Sequence, residues 1–284
     1  MEIPLPGPLD LDGTLTSGQA FRWRKEDGWW RGVVGPHRLA LRAAGGRLEV
    51  ESSGPPDLAA RYLRLDDDLV AVHRTLEADP KLRPLLPAHR GLRLLRQEPW
   101  ECAASFICSA WKSIPAIQRA VEALCERFGQ VSDDRIRGFP TPESIARASP
   151  AALRACGLGY RARLLREAAR QVAEGFSLDL APLPTEEGRK KIQELCGVGR
   201  KVGDCILLFS MDHLEVFPVD VWAARALAEF YGDLLPRKVR RAAAEGEITG
   251  PVYRALSGFA MERFGPNAGY AQQVLYVEVR KRNR

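Results

Sequence analysis

The stretch that decides the reading is Leu195-Cys196-Gly197-Val198-Gly199-Arg200-Lys201-Val202-Gly203-Asp204-Cys205, followed by Val216-Phe217-Pro218-Val219-Asp220. It predicts a helix, a tight glycine turn, a second helix carrying Lys201, and an aspartate at the start of a third helix. Gly197 and Gly199 are expected in backbone conformations closed to other residues, leaving amide N–H groups uncovered on either side of Val198. Such amides at a helix N-terminus form a phosphate cradle. Lys201, one turn into that helix, is placed to act as a nucleophile. Arginine could not, because its guanidinium stays protonated. Attack needs the neutral amine, and both burial and the positive end of the helix are expected to lower the Lys201 pKa. Asp220, just before an apolar helical pattern, has the ordinary role of an N-cap.

Outward from this motif the texture divides in two. Residues 20–25, 29–34, 38–42 and 47–51 read as short strands, with Gly28, Gly35-Pro36 and Gly45-Gly46 as turns. A helix is predicted over 66–78, stopped by Asp79-Pro80. From Glu98 onward the apolar spacing is helical, over 101–111, 114–128, 142–148, 150–156, 161–174, 186–196, 201–210, 221–231, 251–264 and 268–280. The fold class is therefore α+β, with a β-rich antiparallel subdomain over 1–97 and a helical region over 98–284. The last helix is expected to pack back near the first subdomain, and the basic residues from Arg280 onward to form a solvated tail.

Three further segments carry a resemblance. They are Ser17-Gly18-Gln19-Ala20-Phe21-Arg22-Trp23-Arg24, Gly157-Leu158-Gly159-Tyr160-Arg161-Ala162-Arg163 and Gly265-Pro266-Asn267-Ala268-Gly269-Tyr270-Ala271-Gln272. With the glycine hairpin they resemble, in order along the chain, the 8-oxoguanine DNA glycosylases of the helix-hairpin-helix base-excision repair superfamily. The resemblance implies a glycosylase with lyase activity. In it Lys201 would attack the sugar C1′ and form a Schiff base, and Asp220 would stabilise positive charge developing on the sugar. It implies that Gly18 accepts a hydrogen bond from N7–H, which oxidised guanine carries and guanine lacks. Cys205 and Tyr276 would flank the extruded base while Gln272 reads its Watson–Crick edge. The spacing agrees, since Cys205 follows Lys201 and Tyr276 follows Gln272 by four residues, one helix face each. Phe commonly stands in the family where this chain has Tyr276.

On the DNA side the resemblance makes Tyr160 a wedge entering the duplex and Arg161 a contact to the widowed cytosine. Here the chain also departs from its relatives. Trp111-Lys112-Ser113 replaces a run of asparagines that reaches the orphan base in animal enzymes, so preference for cytosine is expected to be relaxed. Trp222 replaces a histidine near DNA phosphate. The partner implied is double-stranded DNA containing 8-oxoguanine, bound by a monomer. No cofactor or catalytic metal is implied beyond a monovalent cation on the backbone carbonyls of the hairpin.

Composition narrows the field in the same direction. A net charge of +6 suits a polyanionic partner, and 45% hydrophobic content over 284 residues supports a sizeable core. Eight of the 42 basic residues are lysines, which draws attention to Lys201. The six cysteines, Cys102, Cys108, Cys125, Cys156, Cys196 and Cys205, form no Cys-x-x-Cys pair, so they read as reduced thiols rather than a zinc or iron–sulfur site. Met1 to Pro8 lacks the pattern of a secretory signal, and no stretch approaches a membrane span. The expectation is a soluble intracellular protein, working at the nucleoid if its source is prokaryotic. Two rival functions follow from parts of the pattern. One is an alkylpurine glycosylase that uses Asp220 and water, for which Lys201 and Gln272 have no use. The other is a non-catalytic protein that uses the hairpin only as a phosphate clamp, which leaves the pairing of Lys201 with Asp220 without purpose.

Overall fold

The computed structural model describes residues 1–109, 112–131 and 137–282. The chain opens with β1 (Glu2–Pro4) and α1 (Leu11–Thr16), then β2 (Arg24–Glu26), β3 (Trp29–Val34), β4 (His37–Ala44) and β5 (Arg47–Ser52). These strands form an antiparallel sheet of order β1-β5-β4-β3-β2. Alternation sets its faces: Leu39 and Leu41 of β4 and Leu48 and Val50 of β5 point inward and are buried. Each such leucine contributes about 1.5–3 kcal/mol when taken from water. Trp30 pairs with Leu41 across β3 and β4. Trp23 lies on the neighbouring Gly32, where a Cβ would come within 2.6 Å of its ring, and its Nε1 donates to Tyr62 Oη at 2.9 Å.

Helices fill the rest: α2 (Leu58–Tyr62), α3 (Leu69–Leu76), α4 (Pro99–Ser109), α5 (Ile114–Phe128), α6 (Pro142–Arg147), α7 (Pro150–Leu153) and α8 (Arg161–Ala173). They continue as α9 (Thr185–Ile192), α10 (Arg200–Ser210), α11 (Val221–Tyr231), α12 (Arg237–Glu245), α13 (Gly250–Phe264) and α14 (Ala268–Arg282). Helix α4 packs on α8 and α10, and α11 packs on α14. The residues buried under the sheet form one hydrophobic core, and the helices surround a larger one. The segment after α1 bridges them, for Phe21 belongs to the helical core and Trp23 to the sheet core.

Several elements differ from the sequence expectation. The ladder begins only at Arg24, because residues 19–22 are held by side chains instead: Gln97 Nε2 donates to the Gln19 carbonyl at 2.9 Å. Helix α1 escaped the reading because Gly13, Thr14 and Thr16 are weak helix formers; the cap from Asp10 Oδ1 to the Gly13 amide at 2.7 Å supports it. Helix α12 buries only Ala243, so it has little apolar pattern to read. The helix predicted over 150–156 ends at Leu153 and gives way to a wide turn through Arg154–Leu158, with Gly157 at φ 78°. Residues 280–282 are not a frayed tail. They complete α14, and Arg280 Nη1 donates to the Thr16 carbonyl at 3.2 Å.

Candidate active site

The hairpin joins α9 to α10 through residues 193–199. Gly197 has φ +83°, and a Cβ there would meet Leu164 Cβ at 3.1 Å and Ile107 Cγ2 at 3.3 Å. The turn therefore seats directly on α4 and α8, with Val198 buried beside it. Gly199 differs from the expectation. Its φ of −87° and ψ of −179° are open to any residue. What glycine provides at 199 is free space, since a Cβ would meet nothing within 4 Å and the first amides of α10 stay approachable.

Lys201 projects over the ring of Phe106, 5.1 Å from its centroid. Phe106 in turn stacks on Phe209 and meets Phe21 edge-on, each at 5.7 Å. Asp220 caps α11, its Oδ1 accepting from the Ala223 amide at 2.8 Å. The cap fixes the carboxylate where the third helix begins, as the sequence predicts. Lys201, Cys205 and Asp220 line one small cavity of about 40 Å³ together with Ser17, Gly18, Phe106, Phe209, Pro218, Gln272, Gln273 and Tyr276. Segments more than 250 residues apart in sequence, from residue 17 to residue 276, thus converge on one point. Larger cavities exist, including one of about 730 Å³ bordered by Trp100, Glu101 and Phe139, but it contains neither Lys201 nor Asp220.

The electrostatics correct one expectation. Burial on its own would lower the Lys201 pKa, but Cys205 and Asp220 outweigh it and hold the ammonium above its ordinary value. Burial pushes the Asp220 carboxyl up, opposed by Lys201 and by the amides of Ala223 and Trp222. Burial also pushes the Cys205 thiol up to about 11, so it meets a ligand as a neutral, polarisable group. The expected lowering by burial is therefore outweighed by the neighbours that surround the amine.

On the base side, Gly18 has φ +83°, and a Cβ there would press on Ile114 Cδ1 at 3.0 Å and Tyr276 Oη at 3.1 Å. Its loop is held by Gln19, which donates to Ser17 Oγ and the Arg93 carbonyl and accepts from the Leu95 amide, each at 2.9 Å. Tyr276 is buried; Arg280 lies 5.7 Å from its ring centroid and donates to its Oη at 3.4 Å. Gln272 and Gln273 are both buried in the wall, and Gln273 Nε2 donates to Gln272 Oε1 at 2.7 Å.

Beneath the site, Asp204 ties three elements together. Arg189 of α9 donates to Asp204 Oδ1 at 2.7 Å, and Tyr253 Oη of α13 donates to Oδ2 at 2.7 Å. The Val219 amide, next to Asp220, donates to the same Tyr253 oxygen at 3.4 Å. The helix of Lys201 and the segment of Asp220 are therefore joined through the Tyr253 hydroxyl.

Three of the proposed DNA-side residues, Tyr160, Arg161 and Lys112, meet at one turn. Tyr160 follows Gly159 and is 61% exposed, with the Arg161 guanidinium 4.5 Å from its ring. Arg161 itself is buried, and its Nη1 donates to the Leu158 carbonyl at 3.4 Å. Lys112 Nζ donates to the Gly157 carbonyl at 2.6 Å, joining the same turn. Trp222 is half-buried, its ring facing the Arg225 guanidinium at 5.3 Å. Trp111 lies outside the described residues.

Sequence reasoning missed Phe106, Phe209, Gln273 and Arg280. Phe106 and Phe209 sit in apolar helices with nothing local to single them out. Gln273 carries a legible sign, a second amide beside Gln272 in a helix of otherwise apolar neighbours.

Fold, hairpin, lysine and capping aspartate together define a helix-hairpin-helix DNA glycosylase. Residues 3–103 match the N-terminal domain of 8-oxoguanine DNA glycosylase, and residues 104–246 match the HhH-GPD superfamily of base excision DNA repair proteins. The chain belongs to the 8-oxoguanine DNA glycosylase family of that superfamily. It is 31% identical to N-glycosylase/DNA lyase OGG1 of Arabidopsis thaliana, over 95% of this chain and 77% of the relative. It is 30% identical to a probable N-glycosylase/DNA lyase of Methanothermobacter thermautotrophicus, over 99% and 96%. Among solved structures it resembles the 8-oxoguanine glycosylase/lyase of Clostridium acetobutylicum bound to double-stranded DNA with cytosine opposite 8-oxoguanine. That match has a TM-score of 0.87 at 26% identity and covers 97% of this chain and 93% of the other.

Proposed function

We infer that the protein is a bifunctional DNA glycosylase and abasic-site lyase that excises 8-oxoguanine from duplex DNA. The observation that carries the reading is the meeting of Lys201 and Asp220 with Gly18, Cys205, Gln272 and Tyr276 in one cavity. In the proposed mechanism Lys201, once deprotonated, bonds through Nζ to C1′ while the C1′–N9 bond breaks. The electron pair leaves with the base, which takes up a proton. Asp220 opposes the positive charge that develops on the sugar as the bond stretches. Opening of the sugar ring gives a Schiff base at C1′. Loss of a C2′ proton then expels the 3′ phosphate and nicks the strand. The aromatic floor of Phe106 and Phe209 keeps the amine in a site of low dielectric, where the Asp220 charge acts strongly.

Selectivity rests on Gly18, whose carbonyl accepts from N7–H of the oxidised base. Guanine would present a lone pair to that acceptor and leave it unpaired. The partner is double-stranded DNA, engaged by the hairpin amides of residues 197–199, by Tyr160 and Arg161, by Lys112 and by Trp222, with one chain per lesion. A monovalent cation on the hairpin carbonyls would add a positive charge beside a phosphate, and no step above depends on it. Lys112 is already engaged with Gly157, which supports relaxed reading of the opposite base. The test is single-turnover release of free base from duplexes carrying 8-oxoguanine or guanine opposite each of the four bases. Release confined to 8-oxoguanine supports the reading, and comparable rates opposite cytosine and adenine support relaxed pairing. Release of alkylated purines alone would overturn the first, and a strong cytosine preference the second.

A further inference from the structure

Gln273 lines the cavity beside Gln272, is 3% exposed, and its Oε1 has no hydrogen-bond partner among the described residues. Among the described residues with an orphaned buried polar atom, it is the one that lines this cavity. An unpaired buried carbonyl is costly, and native proteins tolerate few without a reason in a ligand or a strain. Its other end is already engaged, since Gln273 Nε2 donates to Gln272 Oε1. That bond orients both amides. It leaves Gln272 with Nε2 as donor and one remaining lone pair on Oε1, and leaves Gln273 with its unpaired Oε1 as acceptor and one further N–H.

The Watson–Crick edge of 8-oxoguanine presents, in line, the O6 acceptor, the N1–H donor and the exocyclic N2 amino donor. Gln272 can span the first two with Nε2 and Oε1. The donor left over is the amino group, and the acceptor left over is Gln273 Oε1. We propose that Gln273 is a specificity-determining residue whose Oε1 accepts a hydrogen bond from the N2 amino group of the extruded base. The cavity of about 40 Å³ has room for roughly one water molecule rather than a purine. Side chains must therefore part as the base enters, and Gln273 gains its partner at that moment. This inference rests on the 8-oxoguanine reading above and adds a determinant that separates guanine-derived lesions from those lacking the amino group.

The experiment compares single-turnover excision of 8-oxoguanine and 8-oxoinosine, which differ only in the N2 amino group, opposite cytosine. Wild type, Gln273→Leu and Gln273→Glu are measured on the same two duplexes, so differences in base pairing cancel between proteins. The Leu variant is expected to lose about tenfold on 8-oxoguanine and nothing on 8-oxoinosine, so the ratio between substrates falls by about tenfold. The Glu variant keeps an acceptor and is expected to keep most of the discrimination. Equal losses on both substrates would mean that Gln273 only supports the fold, and no loss on either would mean that it does not meet the amino group. Either outcome overturns the proposal. If wild type releases neither base, it is the 8-oxoguanine reading itself that fails.

Discussion

Lys201 and Tyr160 stand in opposite surroundings. Lys201 lies over an aromatic floor, beside a capping carboxylate, on a helix whose Asp204 is bonded to α9 and α13. Tyr160 projects from a glycine turn with its ring largely in solvent and one guanidinium against it. The first region is built from buried contacts that hold charges in fixed relation; the second leaves its ring open to solvent. Chemistry that depends on electrostatics needs the first kind of construction, because fixed dipoles need no rearrangement as charge develops. A group proposed to enter a duplex, as Tyr160 is, needs the second.

The contrast breaks most severely at Lys201, the proposed nucleophile. Lys201→Gln is expected to abolish both base release and strand nicking while retaining lesion binding, as checked by gel assay and by titration with uncleaved duplex. Next comes Asp220→Asn, which keeps the cap but removes the charge. It is expected to slow excision by about a hundredfold to a thousandfold with little change in melting temperature. The same variant sharpens the electrostatic account through pH. Asp220 raises the Lys201 pKa, and the amine is competent only when neutral, so the wild-type rate should climb as pH rises through the neutral range. Without the carboxylate the Lys201 pKa falls, and the climb should begin at lower pH. A profile that does not move would separate the two groups.

Smaller effects test how far the rigid region extends. Tyr253→Phe removes the hydroxyl between Asp204 and the Val219 amide while keeping the ring. We expect about tenfold slower excision at saturating duplex with an unchanged Kd, because one buried hydrogen bond is lost and with it the placement of Asp220. Tyr160→Ala should do the reverse, weakening lesion binding by about tenfold through lost stacking while leaving melting temperature in place. If it instead lowered stability, the rim would belong to the rigid region after all.

Much of the site was legible because its chemistry is local. The spacing from Gly197 to Lys201 and the placement of Asp220 before an apolar helix each announce themselves within a few residues. The strands at Trp29–Val34 and the helices at Ile114–Phe128 and Val221–Tyr231 have the bounds that their periodicity predicts. What was missed depends on contacts between distant segments. Nothing near Lys201 in sequence says that Asp220 will stand beside it and, with Cys205, outweigh burial, so the pKa direction came out reversed. Gly199 looked like a conformational glycine because it sits beside one, whereas it serves by leaving space. Arg280 looked like a tail residue because its partners, Thr16 and Tyr276, lie at the start of the chain and one helical turn back.

The central claim is that Lys201 is the bond-forming partner of C1′ in a site that selects 8-oxoguanine. Borohydride reduction of the wild-type protein on a duplex with a single 8-oxoguanine, followed by peptide mapping of the adduct by mass spectrometry, tests it most directly. The account predicts one covalent adduct, on Lys201, formed with the 8-oxoguanine duplex and not with its guanine counterpart. Free base release with no adduct, or an adduct on another amine, would contradict it.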